Sequence, residues 1–338
     1  MRQAETGARA AALDGLRGLA VLVVFFSHAA NDGWLPAWLG QGSGQMGVQL
    51  FFALSGYLMA HLYGYLPPEP AALRRFAAAR AARILPLYLT VLALSALLAW
   101  AGAAPHYQVS EPGALAAAAL MLTAPQELWS IPVEVQFYAV FALLWAYGAA
   151  PRAWVALTAA LALGAATKLV VDDLAILPAF LTPFVIGLCL ARARLPSWMG
   201  AAWVLPLALG VFLLNLPGPR GTLGLEIWSG FYPRLWLDPA RFAAIAFLLA
   251  AAVAAQRPGL LGGPLIPLGW VSFAVYLFHR PVMRALDGVE GLAGLTLAAG
   301  ITLVLAAASL RWLERPADRA IRRWAAQPPR PAPRKAAG

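Results

Sequence analysis

"LDGLRGLAVLVVFFSHA", residues 13–29, decides the class of this protein. The run is apolar over nearly the length that a helix needs to cross a bilayer, about 20 residues at 1.5 Å each. It also carries three residues that lipid excludes, Asp14, Arg17 and His28. Comparable runs recur near residues 46–65, 84–101, 129–148, 153–170, 175–191, 202–216, 240–256, 266–283 and 292–312. A shorter apolar piece at 113–123 is too brief to cross alone and reads as re-entrant or interfacial. The 338 residues are 61% hydrophobic and only 12% charged, with a mean hydropathy of +0.70. Soluble domains carry about twice that charged fraction. The expected fold is therefore all-α, a polytopic membrane bundle of about ten transmembrane helices.

The net charge of +10 does not imply a nucleic-acid partner, because the arginines alternate with the apolar runs. With the N-terminus in the cytoplasm, Arg2, Arg9, Arg74, Arg75, Arg80, Arg83, Arg152, Arg192, Arg194, Arg257 and the tail all fall inside, while 31–45 and 102–128 hold no Lys or Arg. That is the positive-inside pattern, and it puts both termini in the cytoplasm. The chain divides into a membrane domain, 1–318, and a basic Pro/Ala/Arg-rich tail, 319–338, whose arginines can meet anionic membrane lipids and whose last dozen residues read as disordered. Asp14, Arg17 and His28 make the first run a poor signal peptide. The single Cys189 excludes an intrachain disulfide and reads as a packed thiol. Four histidines far apart in sequence give no metal-ligand spacing, so no metal is expected.

Chemistry is sought where charge enters the apolar runs. On a helix, Asp14, Arg17 and His28 project within about 60° of one another, with Arg17 and His28 about 16 Å apart along the axis. Ionisable residues inside a membrane usually line a pathway or site, and a neutral imidazole in an apolar pocket is a natural general base. The plainer alternative has Arg17 snorkelling to headgroups beside Asp14 while His28 bonds a neighbouring helix. Arg80 and Arg83 lie one turn apart where the third span begins, ahead of Pro86, and suit the phosphates of a donor arriving from the cytoplasm. Glu134 sits among apolar and aromatic residues in "LWSIPVEVQFYAVF", 128–141, with Tyr138 as a hydrogen-bonding wall. It either pairs structurally or orients a histidine, an arginine or a hydroxyl. Ser55-Gly56 permits close helix approach, and nothing around Ser55 resembles a nucleophile elbow. His279 lies toward the outer end of its span above Tyr276 and Ser272, contacting a substrate or capping the bundle. In the outer loop 217–239, Trp228, Tyr232 and Trp236 are equally suited to stacking on sugars and to interfacial anchoring.

Six stretches taken in order resemble the membrane acyltransferase 3 family: LDGLRGLAVLVVFFSHA, GVQLFFALSGYLMAHL, RFAAARAARILPLY, LWSIPVEVQFY, LGWVSFAVYLFHRPV and WLERPAD, spanning residues 13 to about 318. The resemblance implies a ten-span bundle in a bacterial inner membrane. It implies transfer of an acyl group, usually acetyl, from cytoplasmic acyl-CoA to a hydroxyl of an extracytoplasmic acceptor such as a surface polysaccharide or lipopolysaccharide. The family's Arg-x10-His pair falls on Arg17 and His28, its Arg-x-x-Arg pair on Arg80 and Arg83, and its motif glutamate on Glu134. The chain has Gln49 and Val135 where relatives often carry acids, which weakens any role needing two carboxylates there. Ending soon after the last span, it is expected to deliver its acyl group without a fused extracytoplasmic domain, or to hand it to a separate extracytoplasmic partner protein.

On that resemblance Arg17, Arg80 and Arg83 hold the donor phosphates and His28 removes the acceptor proton, directly or through an acyl-histidine. Glu134 and Asp14 are the candidate orienting groups, and Tyr138, Tyr276 and His279 complete the expected substrate contacts. Two rivals stand beside this expectation. One is a transporter or flippase whose Arg17–His28 path makes no bond, although no inverted repeat is visible. The other is a non-catalytic membrane partner of a polysaccharide assembly system.

Overall fold

The structure, a computed structural model, describes residues 2–147, 163–164, 166, 177–225, 235–255 and 257–327. The described residues form an all-α membrane bundle. Its helices are α1 (Arg2–Asn31), α2 (Ser43–Tyr63), α3 (Pro70–Trp100), α4 (Pro112–Ala119), α5 (Ser130–Tyr147), α6 (Leu177–Leu190), α7 (Val204–Leu214), α8 (Pro217–Thr222), α9 (Pro239–Ala254), α10 (Leu265–Ala285), α11 (Gly291–Ser309) and α12 (Arg315–Ala326). Nine of the ten expected spans fall on one of these helices, and the expected span at 153–170 lies, apart from residues 163, 164 and 166, outside the described residues. Five stretches are long and apolar enough to cross a membrane unaided: Gly7–Asn31, Pro70–Trp100, Gln126–Ala146, Leu265–Ala285 and Gly291–Ala326. The shorter α7, of 11 residues, rises only about 16 Å and reaches halfway through the hydrocarbon. The apolar piece at 113–123 forms the 8-residue α4, as its length requires.

Small residues set the packing because lipid supplies no hydrophobic force between helices. Helix α1 lies along α10 and α2, and the two glycines flanking Arg17, Gly15 and Gly18, press against the backbone at Leu261 and Leu265. Helix α2 packs on α6 through Gly56, where a Cβ would stand 2.0 Å from the Phe184 carbonyl oxygen. The expected close approach at Ser55-Gly56 is this contact. Gly56→Ala forces the two helices apart and should cost about 1–3 kcal/mol, the range for overpacking a close contact. The check is the fraction of monodisperse protein surviving a heat step in detergent. Gly113→Ala, where a Cβ meets nothing within 4 Å, should survive as the unchanged protein does.

Aromatic rings fill the interior next to this contact. Phe52 stacks on Phe184 at 4.4 Å, Phe184 on Phe137 at 4.1 Å, and Trp129, Phe180 and Trp236 close the cluster edge-on. Trp236 is buried here, with the neighbouring Leu235 carbonyl accepting a 2.7 Å hydrogen bond from Gln49 Nε2. It is neither a sugar platform nor an interfacial anchor, and Trp228 and Tyr232 lie outside the described residues. The loop behind Trp236 is tied down by a buried ion cluster, Arg220 to Asp238 at 2.8 Å and Arg241 to Asp238 at 3.6 Å.

Two expectations change. Cys189 is exposed instead of packed, because α6 turns Phe180, Leu181, Phe184 and Leu188 inward and leaves residue 189 on the outer face. The sequence break expected at 318 falls inside α12, which continues from α11 through a π-helical turn at Leu310–Glu314 and packs along α3. Residues 328–338 lie outside the described residues.

Candidate active site

Polar side chains gather at two depths of the bundle, one around Arg17 and one around His28. At the first, Arg17 pairs with Asp14 one turn before it, and Trp270 of α10 donates from Nε1 to the other Asp14 oxygen at 3.1 Å. Arg80 and Arg83 approach from α3. The i, i+3 spacing puts both on one face, and Pro86 beyond them cannot donate to the carbonyl of residue 82. The Arg80 guanidinium lies 5.7 Å from the Tyr138 ring centre, and that of Arg83 lies 5.9 Å from the Phe273 ring. Aromatic faces hold guanidinium planes while leaving their N–H edges free for an anion. Glu134 accepts hydrogen bonds from Ser55 Oγ and, at 2.6 Å, from Tyr138 OH.

These groups line one cavity of about 770 Å³ of empty space, counting the part open to solvent. Arg17, Arg80 and Arg83 stand on its walls with Glu134, and Ser130, Ser272 and Tyr276 also line it. The rest of its wall is apolar, chiefly from α2. Such a cavity can take a ligand with an anionic head and a narrow, mostly apolar extension.

The second group forms around Glu127, on the 3-10 turn Gln126–Trp129 that leads into α5. The chain enters this turn through Gln126 at φ 43°, a left-handed conformation that costs a non-glycine residue about 1–2 kcal/mol. The Glu127 carboxylate receives three cationic or cation-capable neighbours. His106 Nε2 lies 2.7 Å from Oε2, Arg280 Nε 3.3 Å from Oε1, and His28 Nε2 4.0 Å from Oε1. Arg280 also donates to Asp32 Oδ2 at 2.6 Å, so the guanidinium is shared between two carboxylates. His106 comes from the loop after α3, which folds into the bundle. Tyr107 is fully buried and donates its hydroxyl to the Leu277 carbonyl at 3.0 Å, and that burial pushes its phenol well above the ordinary range.

Directly behind His28 sits His279, with ring centres 5.2 Å apart. His279 Nδ1 faces the Tyr276 carbonyl at 2.7 Å and the Val275 carbonyl at 3.2 Å, so this nitrogen carries the hydrogen. Its Nε2 is then a lone pair, buried with no hydrogen-bond partner. Three charged groups surround the imidazoles, two carboxylates and one guanidinium. A proton added to His28 therefore brings the group toward neutrality instead of creating an isolated buried charge. The His28, His106 and Glu127 atoms do not converge as metal ligands among the described residues.

The two groups nearly touch. Tyr276 lines the arginine cavity, donates its hydroxyl to the Glu127 carbonyl at 2.7 Å, and lies 5.8 Å from His279 ring to ring. Ser130, on the same cavity wall, donates to the Tyr276 hydroxyl at 2.9 Å. Tyr276 and His279 thus stand between the inner end of the cavity and His28. On the far side, Arg280 and Asp32 form part of a second cavity of about 1320 Å³ of empty space, including open solvent, whose rim carries Arg284, Asp287 and Glu290.

Of the residues expected from sequence, Arg17, Arg80, Arg83, Glu134, Tyr138 and Tyr276 share the first cavity. Asp14 joins it through its pair with Arg17, and His28 and His279 lie together beyond it. Glu134 bonds Ser55 and Tyr138, and the carboxylate that faces His28 is Glu127. Glu127, His106, Arg280 and Asp32 were not singled out from sequence. The one signal in the chain was an acid and a histidine in a loop, 102–128, that holds no Lys or Arg.

An acyltransferase domain profile, that of the acyltransferase 3 type, matches residues 10–311. A candidate membrane-bound transacylase, BcsY of Komagataeibacter xylinus, is 27% identical over 305 residues, covering 80% of this chain and 72% of that protein. Protein 2 in the picA locus of Rhizobium radiobacter is 44% identical over 86 residues, 25% of this chain and 42% of that protein. The chain thus matches under half the length of the picA-locus protein. No solved structure matches significantly.

Proposed function

The chain belongs to the acyltransferase domain family, and from that premise we propose that it carries an acyl group, acetyl by preference, from cytoplasmic acyl-CoA to a hydroxyl of an extracytoplasmic glycan. One observation carries this reading: a cavity walled by three arginines is joined through Tyr276, which lines it and donates to the Glu127 carbonyl, to the residue whose carboxylate flanks His28. The arginines stand at the mouth expected to face the cytoplasm, where the positive-inside pattern puts them. The second, polar-rimmed cavity beyond Arg280 suits a polyhydroxylated acceptor.

Arg17, Arg80 and Arg83 bind the donor phosphates, and the pantetheine arm runs up the narrow cavity toward Tyr276. The Tyr276 and His279 side chains turn aside, and the thioester carbon then lies beside His28. His28 takes the proton from the acceptor hydroxyl as its oxygen bonds the thioester carbon. The carbon–sulfur bond breaks, and the imidazolium returns the proton to the departing thiolate. Glu127, held by His106 and Arg280, moves onto His28 Nε2 and leaves Nδ1 free to take the acceptor proton. The observed 4.0 Å gap is too long for a hydrogen bond, and such contacts often tighten only when substrate binds.

Labelled acetyl-CoA supplied outside proteoliposomes that hold a polysaccharide acceptor inside tests the reading. Label should move to the acceptor, with free CoA released in equal amount. Transport of the donor or the glycan without label transfer would overturn it. Arg80→Gln/Arg83→Gln should raise the donor KM about ten-fold or more, since each charge-assisted bond is worth about 1.5–3 kcal/mol and about 1.4 kcal/mol is a factor of ten. The acceptor KM should hardly change.

A further inference from the structure

Arg83 lines two cavities, and the second points to a larger donor site than the arginine pair alone. This cavity, about 830 Å³ of empty space including open solvent, lies between the middle of α3 and the start of α12. Arg83 forms one wall, and Arg315 and Arg319 form the other with Glu314 and Asp318. Both acids are already engaged. Glu314 is buried and accepts from Ser309 Oγ at 2.9 Å, and Asp318 pairs with Arg322 at 2.7 Å. Among the described residues, no carboxylate lies within ion-pair distance of Arg83, Arg315 or Arg319.

Local structure holds these arginines together. The π-helical turn Leu310–Glu314 adds a residue to the helical path, and such turns concentrate at functional sites. Beyond it α12 runs antiparallel to the first turns of α3, and its far end is fastened where Arg74 donates to the Gln327 carbonyl at 2.6 Å. Arg315 and Arg319 are four residues apart on one helix face, with the Arg319 Nε donating to the Arg315 carbonyl at 3.2 Å. Three guanidiniums outnumber the two engaged carboxylates around one solvent-open cavity, and none of the three is ion-paired, which suits a phosphate.

We propose that Arg315 and Arg319 complete the donor site with Arg83, and that they bind the ribose 3′-phosphate of the acyl-CoA. This rests on the acyl-CoA reading above and adds residues from the C-terminal helix to it. Arg83 then stands between the two phosphate positions, with the diphosphate toward Arg17 and Arg80 and the 3′-phosphate toward α12. The donor would hold α12 against α3 as it binds.

The test compares CoA with 3′-dephospho-CoA, which differs only in this phosphate, for binding to the full-length protein in phosphatidylcholine nanodiscs. The unchanged protein should prefer CoA about ten-fold or more. In Arg315→Gln/Arg319→Gln that preference should fall to near one. Arg311→Gln/Arg323→Gln removes the same charge from the same segment without lining the cavity, and should keep it. Phosphatidylglycerol added to the nanodiscs should also leave the preference in place. Equal binding of the two compounds by the unchanged protein overturns the proposal, as does a preference that survives in Arg315→Gln/Arg319→Gln. Loss of the preference in the control pair, or on adding anionic lipid, overturns it too, the latter by assigning the site to a lipid headgroup. If neither compound binds, the acyl-CoA reading falls as well, so the two failures are distinct.

Discussion

Replacing His28 with Ala should lower acyl transfer by about 10²–10⁴-fold, the range general-base catalysis contributes, while donor binding stays within a few-fold of normal. The expectation follows from position. His28 is the imidazole beside Glu127 that is committed to no other partner, and its ring packs on His279, which in turn contacts Tyr276 on the wall of the arginine cavity. His106 is committed to Glu127 at 2.7 Å, and His279 to backbone carbonyls through Nδ1. The His28 side chain is about a quarter exposed and makes no hydrogen bond among the described residues, so its removal should leave the fold intact. Rates are to be measured with labelled acetyl-CoA on protein normalised by its monodisperse fraction, and donor affinity is to be measured separately. His28→Gln keeps the volume and a polar group but loses the ionisable nitrogen, so it should be as inactive. Turnover near normal in either variant would remove His28 from the chemistry.

A loss of turnover with donor binding preserved would also separate the two depths of the site. In the proposed mechanism Arg80 and Arg83 act on the anionic head of the donor, so their removal should appear in its KM. His28 would act on the bond being made, so its loss should appear in kcat. A transporter predicts a different pattern, because a residue lining a path without chemistry alters flux and releases no CoA. The arrangement needs both depths because the phosphates of the donor cannot enter the apolar bundle, whereas the thioester must reach its interior. A long uncharged arm between the two ends resolves that conflict, and the mostly apolar wall from α2 gives it a path.

The parts of this site legible in the sequence are those where charge breaks a local pattern. Arg17 and His28 stand out because nearly everything between them is apolar. Arg80 and Arg83 stand out because they repeat at one helical turn where a span begins. The spans were legible for the same reason, since hydropathy is a property of about twenty consecutive residues. Glu127, His106, Arg280 and Asp32 were not, because polar residues are ordinary at span ends and in loops. What makes them part of a site is the folding of the loop at 102–111 into the bundle, where Tyr107 and Val109 become fully buried. That burial depends on packing against α10 and has no periodic signature. Trp236 escaped for a similar reason, as did the exposed face of Cys189, which depends on which side α6 turns toward its neighbours.

The two glutamates seven residues apart give the sharpest expectation, because sequence pattern points to Glu134 and geometry to Glu127. Glu127→Gln keeps the size of the side chain and removes the charge that would stabilise a His28 imidazolium. Turnover should fall about 10²-fold or more, toward the roughly 10⁴-fold loss that follows replacement of the orienting carboxylate in a serine-protease triad. The donor KM should stay near normal, since Glu127 lies behind the Tyr276 layer. Glu134→Gln should act the other way. It weakens the hold on Tyr138, whose ring supports Arg80, so the donor KM should rise several-fold with turnover at saturation largely kept. A merely structural role for Glu127 would lower thermal survival and both kinetic constants together. The double variant His28→Ala/Glu127→Gln distinguishes the cases further. If Glu127 acts through His28, adding Glu127→Gln to His28→Ala should cost little, because residues that act as a unit are not additive. Independent, multiplying losses would mean that Glu127 does something other than orient and charge-balance His28.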